Sequence, residues 1–484
     1  MDIPSLFNFT VAKDLPLQPQ LYQQLVNEIN RGTWQPGSRL PPSRHIALEL
    51  NISRNTVAAV FEQLVAEGFI VSRQGSGVYV NDELPPTDQR LTELRWTRQS
   101  NLPSLSAYGQ RLRTQGTSGS QPPLPFSMGI PDLAAFPTKI WAQIQRRHQD
   151  RRHLLGYDGY QGYAPLRNAL STYLRVSRHV RCTPEQIVIT HGTQQAISLC
   201  AQVLLNSGDD VLVENPGYIR ARRAFAARDA KLIPVEVSPE GLTTAALPTA
   251  HPAQLMYVTP THHYPLGGIM SAAERLKILD WAAANNTWLI EDDYDSEFHF
   301  SGKPIAALQG MALETPVLYM GSFSKTLFPA LRLGYLVLPT SLVEPFALAK
   351  SYESGESPLL SQATTTDFIQ EGHFVRHLRR MRQIYQQKWL HMSELINLHL
   401  KTLATPVAES AGMHIALMIE DIDDVTLAHE LTEAGFGGSA LSSYYVGENA
   451  KTGLVLGFSN SQEKERIKGI KMLKKLIGKH RLTV

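Results

Sequence analysis

Apolar and polar residues alternate with three different rhythms along the chain. Up to residue 80 the spacing is helical. Leu21, Leu25 and Ile29 in "LYQQLVNEINRG" form one stripe that ends at a glycine suited to a helix C-terminus. The proline-rich turn "PGSRLPPSR" follows, with Ser43 placed to cap a short helix carrying Ile46, Ala47 and Leu50. Ser53 is placed to cap a third helix, in which Val57, Val60, Phe61 and Leu64 recur at i, i+3, i+4 and i+7. "FIVSRQGSGVYV" then reads as two short strands around a glycine-rich turn. Residues 82–125 lose periodicity and become rich in Pro, Gly and Ser, the composition of a partly extended linker.

From Phe126 onward, strand-like apolar runs alternate with helical stretches: "EQIVITHG", "DDVLVENPGY", "AQLMYVTP", "NTWLIEDDYD", "PVLYMGSFSK" and "RLGYLVLP". These runs are too apolar for strands with one wet face. Buried strands with helices between them predict an open, largely parallel α/β sheet. Such sheets take ligands beyond the carboxyl ends of their strands.

A length of 484 residues supports two domains, one of them large, and 43% hydrophobic with 19% charged residues is an ordinary soluble composition. The net charge of +2 identifies no partner. The basic C-terminal run places Ile467, Ile470, Leu473 and Leu476 at helical spacing, as in a closing amphipathic helix. Cys182 and Cys200 cannot build a disulfide framework or a zinc site, which fits a reducing cytosol, and no metal site is expected. No signal peptide or membrane span is read, so the expected location is cytoplasmic, with no membrane partner.

Helix, helix, tight turn, helix and hairpin is the order of a winged helix-turn-helix. "PGSRLPPSR", "LNISRNTV" and "LVAEGFIVSRQGSGVYV" resemble the GntR-type module, placed here at residues 12–81. Its expected partner is a double-stranded DNA operator. Arg54, Asn55 and Thr56 open the recognition helix, where side chains first reach base edges. Arg44 begins the preceding helix and suits a phosphate, and Arg73 and Gln74 lie in the wing.

"GSFSKTLFPALRLG" raises a different chemistry. Lys325 stands among Ser322, Ser324 and Thr326, with Arg332 seven residues on. A lysine that bonds a carbonyl as a Schiff base needs such room, and an anion nearby would use the hydroxyls and the guanidinium. If that carbonyl belongs to pyridoxal 5'-phosphate (PLP), a carboxylate should face the pyridine nitrogen. Asp292, with Tyr294, is the candidate, and Asp293 is its rival. "VITHGTQQ" offers the amides of Gly192, Thr193 and Gln194 at a helix start as a phosphate cradle. Tyr218 in "ENPGY" can stack on the ring.

These four pieces in this order resemble fold-type I PLP enzymes, the aspartate aminotransferase-like group, over residues 126–484, with a smaller α+β subdomain at about 350–484. The resemblance makes Lys325 the internal-aldimine lysine. Together the halves resemble the MocR/GabR branch of GntR-type regulators. That implies a PLP-dependent transcription regulator, a head-to-tail homodimer whose operator contact responds to PLP or an amine effector. Two departures from a working transaminase stand out. Tyr264 precedes Pro265 where the aminotransferases usually have Asn-Pro, and His262 just upstream either contacts the ring or fills space. The stretch "GFGGSALSSYYVGENAKTGLVLGFSN" lacks the arginine that would hold a substrate carboxylate, so either the carboxylate is held elsewhere, with Arg220 the candidate effector contact, or no amino acid binds there. The alternatives are a functional aminotransferase with an accessory DNA module, and a DNA-binding protein whose second domain only dimerises.

Overall fold

Side-chain rhythm becomes secondary structure nearly where expected. The computed structural model describes residues 15–84, 104–114, 122–239, 241–248, 252–300, 306–313, 315–407 and 411–482. They fall into two compact units, within 1–117 and 118–484. Residues 12–14 of the expected DNA module and most of the expected linker lie outside the described residues. Ala107–Thr114 in that linker is helical, where extended chain was expected.

In the first unit, α1 (Leu17–Asn30), α2 (Ser43–Glu49) and α3 (Arg54–Ala66) precede an antiparallel hairpin of β1 (Ile70–Arg73) and β2 (Gly77–Val80). Leu21, Leu25, Ile46, Val57, Val60, Leu64, Ile70 and Val80 are fully buried and form its core. Ser53 caps α3 by accepting from the Asn55 amide at 3.2 Å. Ser43 is not a cap. It is the first residue of α2, behind Pro42, and makes no side-chain cap bond. The proline's fixed φ presets the helix entry that a hydroxyl would otherwise stabilise.

The second unit is built on seven strands: β3 (Ile187–Thr190), β4 (Asp210–Asn215), β5 (Lys231–Glu236), β6 (Leu255–Val258), β7 (Trp288–Asp293), β8 (Val317–Ser322) and β9 (Gly334–Val337). Their order in the sheet is β3-β9-β8-β7-β6-β4-β5, and only β9 runs against the others. The entry to β9, at Arg332 and Leu333, therefore meets the exits of β3 and β8 on one edge. Glycines let these strand ends close up: a Cβ on Gly334 would lie 2.8 Å from the Gly192 Cα. β5 escaped sequence reading because it is a half-exposed edge strand interrupted by Pro234, and an edge is where a strand tolerates proline.

A second sheet, in the order β10-β11-β13-β12, is antiparallel throughout and comprises β10 (Thr405–Pro406), β11 (His414–Met418), β12 (Ser439–Ala440) and β13 (Gly453–Gly457). The basic C-terminal helix Glu463–Leu482 buries Ile470, Leu473 and Ile477 in the core shared with the long helix His373–Leu400. Its lysines are the outer face of a packed helix, as its periodicity predicts.

Candidate functional site

Lys325 sits in a single helical turn, Phe323–Thr326, directly after β8. Its Nζ donates to the Gly129 carbonyl at 2.7 Å, and burial lowers its pKa below the ordinary lysine value. Asp292 and Asp295 act against that shift, and the Arg220 charge adds to it. An amine of lowered pKa carries a larger neutral, nucleophilic fraction than a surface lysine.

The two rival aspartates at the end of β7 have different surroundings. Asp293 Oδ2 accepts from Arg178 Nε at 2.8 Å and from the Tyr319 hydroxyl at 2.5 Å, so its charge is already compensated. Asp292 Oδ2 accepts from the Tyr257 hydroxyl and meets no guanidinium, while the buried Oδ1 atoms of both aspartates have no partner among the described residues. Burial pushes Asp292 up to about 7. A carboxyl with an open oxygen and no guanidinium of its own is what a protonated pyridine requires, and of the two aspartates Asp292 fits.

Gly192, at φ 90°, is the N-cap of the helix Thr193–Leu204, so Thr193 and Gln194 present first-turn amides. Such amides have no partner within their own helix and carry the dipole's positive end. The Arg332 guanidinium lies beside them, 3.8 Å from where a Gly192 Cβ would stand. Arg332 itself is held at φ 50°, a left-handed conformation that costs a non-glycine residue about 1–3 kcal/mol. Ser322 caps the lysine's turn by accepting from the Ser324 amide at 3.0 Å, which leaves its own proton free to donate. Amides, a guanidinium and serine hydroxyls on one sheet edge fit a phosphate group.

Tyr218 follows β4 and packs edge-on against Tyr264, with ring centroids 5.4 Å apart. The Tyr294 hydroxyl lies 2.9 Å from His262 Nδ1, which also meets Asp295 at 3.0 Å. Because a carboxylate only accepts, we place the proton on Nδ1. Tyr294 then accepts there and keeps its own proton for another partner. His262 is thus a buried hydrogen-bonding residue with an assigned neighbour, not merely a space filler. Sequence reading missed His414, whose ring lies 5.1 Å from that of His262. His262, Asp295 and His414 hold ligand-type atoms within 4.8 Å of one another. It also missed Tyr257 and the Gly129 carbonyl, because contacts across strands leave no periodic trace.

In the DNA-binding unit, Arg54 and Asn55 are exposed at the start of α3, Thr56 is half-buried, and Arg44 is exposed on α2. Gln74 is exposed in the wing turn. Arg73 is less free than expected: its guanidinium meets Asp82 at 2.8 Å and lies 4.5 Å from the Tyr79 ring centre. Arg39, which sequence reading passed over, bridges to Tyr79 and places its guanidinium against Gly77. It adds a basic group at the wing.

Residues 17–80 match the bacterial regulatory proteins of the gntR family, and residues 122–437 match aminotransferase class I and II. The chain is 37% identical to the probable rhizopine catabolism regulatory protein MocR of Rhizobium meliloti, over 95% of this chain and 94% of that one. It is 29% identical to the pyridoxine biosynthesis transcriptional regulator PdxR of Corynebacterium glutamicum, over 96% of both. The chain belongs to the MocR/GabR subfamily of GntR-type transcriptional regulators. Among solved structures, an archaeal alanine:glyoxylate aminotransferase superposes on the regulator with a TM-score of 0.71 at 26% identity, covering 78% of this chain and 96% of that one. The α-aminoadipate aminotransferase LysN of Thermus thermophilus shares the fold with a TM-score of 0.70 at 24% identity, over 78% of this chain and 96% of that one. No helix among the regulator's described residues is long and apolar enough to cross a membrane.

The buried acids of the regulator's large unit make a pH prediction. Burial raises Asp292, Glu291 and Glu297 to about 7 and Glu214 to about 8. Each folded-state carboxyl keeps a proton that the unfolded chain, titrating at about 4, has already released. Stability is therefore lost as pH climbs through that window. The buried histidines His263, His377 and His414, whose pKa values burial lowers, act the other way below about pH 6.5. They are common to wild type and Asp292→Asn, so the cofactor-free variant is expected to lose less melting temperature than wild type between about pH 5.5 and 8, and an equal or steeper loss in the variant contradicts the assignment.

Proposed function

We propose that the regulator binds PLP at the β-sheet edge around Lys325, and that occupancy of this site changes its grip on operator DNA. The observation that carries the reading is a half-buried lysine of lowered pKa on the same strand ends as Asp292, a buried carboxyl with an open oxygen and no guanidinium partner. Both stand on the edge where amides and a guanidinium converge. Lys325 would hold the cofactor covalently and Asp292 would keep its ring nitrogen protonated. The Gly192, Thr193 and Gln194 amides, Ser322, Ser324 and Arg332 would take the phosphate. Tyr218 would cover the ring, and Tyr294 would direct the proton left free by His262 at the ring oxygen. PLP supplies an aldehyde carbon that amines attack and a ring that withdraws electrons from it. Arg220, exposed at the second position of the helix Ile219–Ala226, is proposed as an effector contact.

Operator contact falls to Arg44, Arg54, Asn55, Thr56 and Gln74, with Arg73 available once it leaves Asp82. An exposed pair of that kind is worth at most about 1 kcal/mol, so a phosphate can displace it. Arg54→Ala is expected to weaken specific operator binding by about 1–3 kcal/mol if it reads one base pair. Fluorescence anisotropy with operator and scrambled duplexes checks this, and equal loss on both would reassign Arg54 to phosphate contact. We further propose a head-to-tail homodimer acting in the cytoplasm.

The test of the whole reading is a gel shift of cofactor-free protein on the DNA upstream of its own gene, with and without PLP. A change in affinity or footprint with PLP alone makes the cofactor the signal. Bound PLP with unchanged DNA contact makes an amine effector the signal. Absence of PLP binding refutes the reading.

A further inference from the structure

Six of the chain's sixteen lysines fall in one helix, Glu463–Leu482. Its acids, Glu463 and Glu465, stand in the first turn, and from Arg466 to Leu482 every charged residue is basic. Lys464, Lys468, Lys471, Lys475 and Lys479 recur at i, i+4, i+7, i+11 and i+15, which places them on one face within an arc of about 80°. All five are exposed, and so is Lys474 at the margin of the row. At 1.5 Å per residue the row is about 22 Å long.

The opposite face is already occupied. Ile470, Leu473 and Ile477 are fully buried in the core, and buried Arg466 donates to the Ser461 carbonyl at 2.7 Å. No apolar side is left to enter a lipid interface, so this is not a membrane-surface helix. Nor does the protein neutralise the row. Lys479 meets Glu430 at 2.7 Å, and His480 takes the other oxygen of that carboxylate at 3.1 Å. Among the described residues, Lys464, Lys468, Lys471, Lys474 and Lys475 have no carboxylate within ion-pair distance. Like charges three and four residues apart repel and weaken the helix that carries them. On a chain of net charge +2, such a row is not a by-product of bulk composition.

Regularly spaced ammonium groups, with no fork and no pocket between them, suit a polyanion of repeating charge rather than one carboxylate or a short acidic motif. Duplex DNA carries a negative charge about every 1.7 Å of its axis. The same chain has a gntR-type module at residues 17–80, so DNA is the polyanion at hand. We infer that the lysine face of the C-terminal helix is a second, sequence-independent surface for double-stranded DNA, gripping backbone phosphates outside the stretch that the winged helix reads. Phosphate contacts position a protein without reading bases, so this surface adds affinity and salt dependence but no specificity. The inference rests on operator binding by the first unit and is independent of the cofactor.

The experiment uses the full-length regulator and the triple variant Lys468→Gln, Lys471→Gln, Lys475→Gln. Each is titrated by fluorescence anisotropy at several salt concentrations. One duplex ends at the operator, and the other extends about 20 base pairs further on each side, longer than the lysine row. Wild type is expected to bind the long duplex more tightly, whatever the sequence of the flanks. The variant is expected to lose about tenfold or more on the long duplex at low salt, with a salt slope shallower by about 2–3, and to match wild type on the short one. Its melting temperature is expected to equal or exceed that of wild type, because repulsion is relieved. Wild-type affinity and slope in the variant on the long duplex overturn the inference and leave the face to another anion. Equal loss on both duplexes overturns it too, since the lysines would then act through the general field of the protein. The wild-type comparison of long and short duplexes stands by itself if the variant fails to fold, and no gain from the flanks refutes the second surface. Binding of neither duplex by wild type sinks the operator reading, and this inference with it.

Discussion

Lys325→Ala is expected to fold normally and yet never develop the visible absorbance of lysine-bound PLP at any cofactor concentration. Among the described residues the lysine's one hydrogen bond runs to the Gly129 carbonyl, and the side chain is only half-buried. Water can take over that carbonyl, so the stability loss should be about 1 kcal/mol. Among the described residues no other buried amine is poised to substitute. Lys350 Nζ is held by the Tyr160 carbonyl, and Lys388 is held by Asp132 and the Ser459 carbonyl. The variant should still retard operator DNA, because the DNA-binding module has its own core, but it should lose any response to PLP. Absorption spectra, far-UV circular dichroism and a gel shift on one preparation check all three expectations. A spectrum identical to wild type would show that the cofactor is held by some other residue.

What the sequence revealed tracks how local each signal is. The recognition helix was legible because its four core residues repeat on one face and Ser53 caps it from the adjacent position. The six buried strands were legible because strands covered on both faces leave unbroken apolar runs. β5 was not, because Pro234 and an exposed edge erase that signature. Ser43 misled because the proline before it already fixes the helix entry. Within the site, residues that end strands were found: Gly192, Tyr218, Asp292 and Lys325 each follow or close an apolar run. Residues that arrive from elsewhere in the chain were missed. Gly129 reaches Lys325 from 196 positions away, and Tyr257 reaches Asp292 across neighbouring strands. Such contacts depend on strand order, which has no periodicity to read.

The choice between the two aspartates yields the sharpest contrast in expected effects. Asp292→Asn removes a carboxylate whose only bond among the described residues is from Tyr257, a hydroxyl that can donate equally well to an amide oxygen. The fold should be kept, and stability at pH 8 should rise, because an uncompensated buried charge is gone. PLP affinity should fall by about 2 kcal/mol or more, since a buried charged hydrogen bond loses one partner. That is at least about a 30-fold increase in Kd. Asp293→Asn should behave in the opposite way. Its carboxylate meets the buried Arg178 guanidinium at 2.8 Å, so its loss takes a neutralising charge from a cation in the core. Breaking such a pair from one side costs about 3–5 kcal/mol of stability. Cofactor affinity per folded molecule should change little. Thermal melts of the cofactor-free variants and fluorescence titrations with PLP separate the two. If Asp293→Asn loses the cofactor while Asp292→Asn keeps it, the pyridine nitrogen faces Asp293, and the unpaired oxygen of Asp292 needs another partner.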